Sequence, residues 1–317
     1  MPTCKPNIKP KNKHLQSFLA SSKIRLLRIF KSNNVKKHSK KVQLNLKSSV
    51  LEGYITKREN SKKLYILLHG WEGSAQSTYI QLLANKLYKN KKATIFRLNF
   101  RDHGDTHHLN KELFHSCRLE EVCEAIKKIT ELHPCKENYI CGFSLGGNFA
   151  IRVASKAQEY GISLTKVFAI SPPLNPKNSM LAIEKSRMYS RYFLKKWQKS
   201  LVKKYKTHPE NFDNTQYQNI KSLDKLTELL IIKNTDYNTT DEYFRGYEIN
   251  TQILQNIQIQ THILMAKDDP VIPYEDFKEL KKQTNIKLNI TEHGGHCGFI
   301  TGWNLHSWVE EYIINNS

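Results

Sequence analysis

The chain has 317 residues, 39% of them apolar and 10% aromatic, which suffices for one large α/β domain or two small ones with a real core and is too long for a disulfide-stapled miniprotein. A charged share of 25% is that of an ordinary globular protein and excludes a collagen-like, low-complexity or wholly disordered chain. Fifty Lys and Arg against 29 Asp and Glu leave a formal net charge of +21; the Lys is scattered along the whole chain as on a solvated basic surface, and no RNA-binding or zinc-finger signature accompanies it, so no nucleic-acid partner is expected.

The opening residues are polar and basic, without the apolar stretch and small-residue cleavage site of a signal peptide. Residues 14–31 read as one amphipathic helix. Leu15, Phe18, Leu19, Leu26, Leu27, Ile29 and Phe30 are apolar, and Lys23, Arg25, Arg28 and Lys31 are basic. Such a helix can pack its stripe on the main domain or make a weak, salt-sensitive contact with an anionic membrane. Residues 1–38 therefore read as a basic N-terminal segment preceding one domain, 39–317.

From residue 39 the period changes. Residues 42–46 alternate like a half-buried strand, with 51–56 as the hairpin partner. Short apolar strands at 64–68, 93–98, 139–142, 167–170, 262–265 and 287–290 then alternate with helical patterns at 77–90, 118–132, 145–159, 274–283 and 303–314. That alternation predicts βαβ units, an α/β fold with a mainly parallel central sheet flanked by helices. Residues 175–255 break the rhythm. They are long, Lys-rich and mostly helical, the pattern of a helical lid inserted at the strand ends. No apolar run reaches the ~20 residues needed to cross a bilayer. Six cysteines without C-x-x-C spacing read as free thiols in a reducing compartment, so the expected location is cytoplasmic.

The strongest chemical signal is G-x-S-x-G at Gly142, Ser144 and Gly146, with a strand before it and a helical stretch after it. A tight strand-to-helix turn needs glycine beside the nucleophile, and the following helix N-terminus adds positive potential where an oxyanion forms. A serine hydroxyl needs a base, expected downstream in the order Ser, acid, His. Two stations fit. One is the strand ending in Asp268 and Asp269 before Pro270. The other is the loop with His293, Gly294, Gly295 and His296. Both lie at carboxyl ends of strands, where catalytic groups leave a parallel sheet. Either aspartate can serve. His296 is favoured because the two glycines before it free the loop to bring its ring over Ser144, with His293 as a rim residue. The oxyanion hole needs two donors: the N–H of Leu145, and one from the loop His69-Gly70-Trp71, where Trp71 is the candidate. His69 reads as a buried histidine supporting that loop.

The ordered set His69-Gly70-Trp71-Glu72-Gly73-Ser74, Asn99-Phe100-Arg101, His115-Ser116, Gly142 to Asn148, Asp268-Asp269-Pro270 and His293 to Phe299 resembles the YheT-like branch of the α/β-hydrolase superfamily, and His14-Leu15-Gln16 is similar to that family's opening segment. The resemblance spans roughly 14–315. It implies an α/β-hydrolase fold, a Ser-Asp-His charge relay at Ser144, Asp269 and His296, and carboxylesterase-type activity. It also leaves open acyl transfer or phospholipase-like activity with the same residues, on a small-molecule or lipid-like ester. Two departures stand out: Asp102 follows Arg101 where many relatives have Gly, and Cys117 follows His115-Ser116 where Gly is common.

Two rival classes fit parts of the pattern. Asp102, His103, Asp105, His107 and His108 crowd one short stretch and could suggest a metal-activated water. That would leave the serine motif unexplained, so the stretch reads as a loop bordering the site, its Asp and His fixing loop shape. A non-enzymatic basic binder would not need a full set of catalytic residues. No metal or cofactor is implied.

Overall fold

The computed structural model describes residues 6–32, 34–210, 215–278, 280 and 283–317. Helix α1 (Lys13–Ser21), a 3-10 segment (Lys23–Ser32) and α2 (Asn34–His38) lead into β1 (Ser39–Asn45), β2 (Val50–Thr56) and β3 (Lys63–Leu68). Then α3 (Thr78–Asn90), β4 (Thr94–Asn99), α4 (Leu119–Leu132), β5 (Glu137–Phe143), α5 (Leu145–Tyr160) and β6 (Lys166–Ile170) alternate. Helices α6 (Pro176–Lys185), α7 (Arg187–Thr207), α8 (Thr215–Gln218), α9 (Leu223–Asn234), α10 (Thr240–Arg245) and α11 (Thr251–Gln255) precede β7 (Gln260–Ala266). Helix α12 (Glu275–Lys278), β8 (Ile286–Thr291) and α13 (Trp308–Asn315) complete the order.

The strands form one sheet in the order β1-β2-β4-β3-β5-β6-β7-β8. The β1–β2 hairpin joins β4 antiparallel, and every other pairing is parallel. Both faces are covered, which is why the central strands read as unbroken apolar runs. Ile66, Leu68 and Ile140 face α4 and α5, while Tyr65, Leu67 and Cys141 face α3 and α13. The parallel strands end together, at Leu68, Asn99, Phe143, Ile170, Ala266 and Thr291. Loops leaving those ends therefore meet over one edge.

Three predicted helices are shorter or broken. The expected helix 14–31 stops at Ser22, whose φ of −66° and ψ of 127° are extended, and resumes with 3-10 winding. Serine side chains compete with helix hydrogen bonding. The change of winding also turns Arg25 inward, where it is 1% exposed, donates to the Ala20 and Leu305 carbonyls and pairs with Glu310 at 2.7 Å. Of the predicted 274–283, Glu275–Lys278 is helical, and 279, 281 and 282 lie outside the described residues. The helix expected from 303 begins at Trp308. The preceding turn, closed by the Leu305 N–H on Gly302 O, presents its Leu305 carbonyl to Arg25 and Arg28.

Candidate active site

Strand β5 runs into a sharp turn at Ser144, whose φ of 53° and ψ of −120° cost on the order of 1–3 kcal/mol in a non-glycine residue. The conformation is over-determined: the Ser144 N–H donates to Ile170 O at 2.8 Å, and the Ser144 carbonyl accepts from Gly147 and Asn148. Gly142 and Gly146 permit the turn. A Cβ on Gly142 would lie 2.1 Å from Gly146 O, and one on Gly146 would lie 2.5 Å from the carbonyls of Leu68 and His69. Helix α5 starts at once, so its positive end faces the serine.

Residues distant in the chain meet here. Ser144 Oγ lies 2.9 Å from His296 Nε2, and His296 Nδ1 lies 2.9 Å from Asp269 Oδ2. The other Asp269 oxygen accepts the N–H groups of Val271 (2.8 Å) and Ile272 (3.0 Å), so the carboxylate is held with one oxygen turned to the ring. Asp268 is spent otherwise: it takes the Gly295 N–H at 2.9 Å and faces His293 Nδ1 at 3.1 Å, bracing the loop that carries His296. Gly294 and Gly295 hold φ values of 157° and 53° there. Burial alone would lower the His296 pKa, but the Asp269 carboxylate, aided by Cys297, holds it well above 6.5.

Trp71, Ser144 and Leu145 line one cavity of about 120 Å³. Gly70 presses on the serine; a Cβ there would be 3.1 Å from Ser144 Cβ. His69 supports this loop from below. Its Nδ1–H donates to Gly70 O at 2.8 Å, its Nε2 accepts the Phe100 N–H at 3.2 Å, and burial keeps it neutral. The cavity walls are mostly apolar, including Leu113, Phe114, Met180 and Ile183. The Trp71 ring stacks on Phe193 at 5.4 Å and meets Trp197 edge-on at 5.1 Å, both from α7. An apolar chamber beside a paired serine can take an acyl chain out of water while Oγ meets its carbonyl.

The family described as alpha/beta hydrolase fold matches residues 64–302. The chain belongs to that family. Within it, the chain is similar to the candidate esterase YheT of Escherichia coli, 25% identical over 260 residues, covering 80% of this chain and 75% of that one. It is also 22% identical over 285 residues to the medium-chain fatty acid ethyl ester synthase/esterase 2 of Saccharomyces cerevisiae, covering 81% of this chain and 62% of the yeast protein. Among solved structures, a Pyrococcus furiosus esterase superposes with a TM-score of 0.59 at 18% identity, covering 87% of this chain and 89% of that one.

Several features of this α/β-hydrolase-fold chain escape sequence reasoning. Ser17 Oγ on α1 accepts the His296 N–H at 2.8 Å. Gln16, fully buried, accepts the Ile300 N–H at 2.7 Å and donates to the Ile300 carbonyl at 3.1 Å. Nothing local marks Ser17, while Gln16 belongs to the opening segment quoted above. Glu72, at φ 55°, lines the cavity, and burial pushes its carboxyl up to about 8.

The stretch 101–108 is a hydrogen-bonded loop. Arg101 pairs with Glu121 at 2.6 Å and Glu112 at 2.8 Å. Asp102 adopts φ 56°, the left-handed conformation glycine favours, and its carboxylate takes the Phe114 N–H at 2.8 Å and Lys204 Nζ at 2.9 Å. His103 Nδ1 bonds Arg101 O, and His107 Nε2 bonds Ser200 Oγ on α7. Among the described residues, no three His, Cys, Asp or Glu side chains form a group that could hold a metal ion.

Proposed function

We propose that this chain is a serine hydrolase of carboxylic esters acting through an acyl-enzyme. The observation that carries the reading is the pair of 2.9 Å contacts from Ser144 to His296 and from His296 to Asp269, at the wall of an apolar cavity. Asp269 holds Nδ1–H and stabilises the imidazolium, leaving Nε2 to take the Ser144 proton as Oγ attacks the acyl carbon. The N–H groups of Leu145 and Trp71 receive the oxyanion; losing one such donor costs about 10²–10³ in kcat in comparable sites. His296 then protonates the departing alcohol, and water, activated by the same ring, releases the acid. Residues 175–255 act as the lid, with α7 supplying Phe193 and Trp197 to the acyl chamber.

The chamber also supports a substrate range. Its 120 Å³ is slightly below the roughly 150 Å³ of an engineered cavity that takes up benzene. Short to medium acyl chains fit such a space. The yeast relative's name pairs ester synthesis with hydrolysis of medium-chain esters, so an alcohol replacing water at the acyl-enzyme is the second reading. The test is a panel of p-nitrophenyl esters of increasing acyl length, with and without ethanol. Turnover is expected to peak at short to medium chains and to vanish in Ser144→Ala. Undiminished turnover by Ser144→Ala would overturn the proposal, and ethyl ester formed at the expense of free acid would select the second reading.

A further inference from the structure

Isolated exposed apolar side chains are normal on a protein surface; here they gather on elements that touch one another. Leu15 and Phe18, one turn apart, are exposed on α1, with Phe18 at 68%. Ile24 and Leu27 repeat the spacing on the 3-10 segment, with Leu27 at 69%. The loop that receives Arg25 and Arg28 through the Leu305 carbonyl also carries Trp303, which is 100% exposed. On the other side, His14 Nδ1 bonds Tyr189 Oη at 3.0 Å and so joins α1 to α7, where Met188 and Tyr192 are exposed.

Charge on these elements is of one sign. Lys13 and Lys23 are exposed on α1 and the 3-10 segment, Arg187, Arg191 and Lys195 are exposed on α7, and no Asp or Glu lies between Lys185 and Lys206. A second copy of the chain would bring the same positive charge to this face, whereas an anionic bilayer brings the opposite charge and a greasy interior. The inner side of α1 meanwhile carries Gln16 and Ser17, which hold the His296 loop.

We propose that α1, the 3-10 segment, the Trp303 loop and the start of α7 form a docking face for an anionic lipid bilayer. Phe18, Leu27 and Trp303 enter the headgroup boundary and the surrounding lysines and arginines meet acidic headgroups. No helix among the described residues is long and apolar enough to cross a membrane, so the contact is peripheral. It brings the candidate active site, whose His296 loop rests on Ser17 and Gln16 of α1, to the surface where lipid-like esters reside. Docking is read from binding alone and holds or fails independently of the chemistry at Ser144.

The experiment is co-sedimentation of the full chain with vesicles of equal parts phosphatidylcholine and phosphatidylserine, and with phosphatidylcholine alone, at low and high salt. Wild type is expected to pellet with the anionic vesicles and to be released by salt. Its tryptophan emission should shift to the blue on binding, and Trp303→Phe should remove that shift. The double variant Phe18→Asp/Leu27→Asp changes exposed positions. It is expected to bind roughly tenfold or more weakly, while keeping wild-type thermal midpoint and turnover of a soluble short-chain ester. Wild type staying in the supernatant at low salt would overturn the proposal. So would a double variant that binds like wild type with no emission shift, since that is adsorption by charge alone. A wild-type dimer that the double variant abolishes, without vesicle binding, would assign the face to a second copy instead.

Discussion

Ser144 and His296 sit within hydrogen-bond reach of each other because separate local rules place each one. The serine needs a left-handed turn cleared by Gly142 and Gly146, and the histidine needs a loop pinned by Asp268, Ser17 and Gln16. Two aspartates and two histidines compete in the sequence, and hydrogen bonding separates their work: Asp269 with His296 faces the serine, and Asp268 with His293 braces the rim. His296→Ala is therefore expected to lower kcat by a factor on the order of 10⁴ or more. His293→Ala, losing half of a partly exposed pair, should change it less than about tenfold. Equal losses in steady-state kinetics would contradict the division. The pH profile follows from the same contacts. A ring charged beside Asp269 cannot accept the serine proton, so kcat/KM should rise with pH and reach half its maximum above the ordinary imidazole value of 6.5. A profile half-maximal below that value would show that Asp269 does not hold the charge.

Among the elements, the central strands could be read from the chain because burial on both faces of a parallel sheet leaves a plain apolar signature, and helices α3, α4 and α5 because each follows the helical period. The same logic fails where a side chain's partner is remote. Lys204 belongs to a Lys-rich helix that reads as solvated, yet it is buried, pairs with Asp102 at 2.9 Å and donates to the carbonyls of Asn110 and Glu112. Burial disfavours both charged forms, raising the Asp102 pKa and lowering that of Lys204, so the pair stands only while both partners remain. Lys204→Ala should thus cost about 3–5 kcal/mol in a urea melt, and Lys204→Met/Asp102→Asn should recover most of it. A loss below about 1 kcal/mol, as for a surface pair, would contradict this tether between α7 and the loop after β4. The break at Ser22 was hidden for a similar reason: Arg25 turns inward to reach Glu310, far along the chain.

For the molecule as a whole, the fold gathers the ends of six parallel strands at one edge, and the Ser, Asp and His stations fall there in chain order. Their placement was readable because a strand-turn-helix around G-x-S-x-G constrains backbone and side chain together. What was not readable is the packing of the N-terminal segment on the His296 loop and the shape of the chamber under α7, which depend on contacts between residues more than a hundred positions apart. Ester cleavage through an acyl-enzyme requires Ser144 to be an activated nucleophile. Its most direct measurement is peptide mapping of the intact protein after reaction with a fluorophosphonate probe. One adduct, on Ser144, is expected in the wild type and in His293→Ala, with a large drop in its rate of formation in His296→Ala. An unmodified Ser144 in folded wild-type protein, or modification that proceeds as fast in His296→Ala, would contradict it.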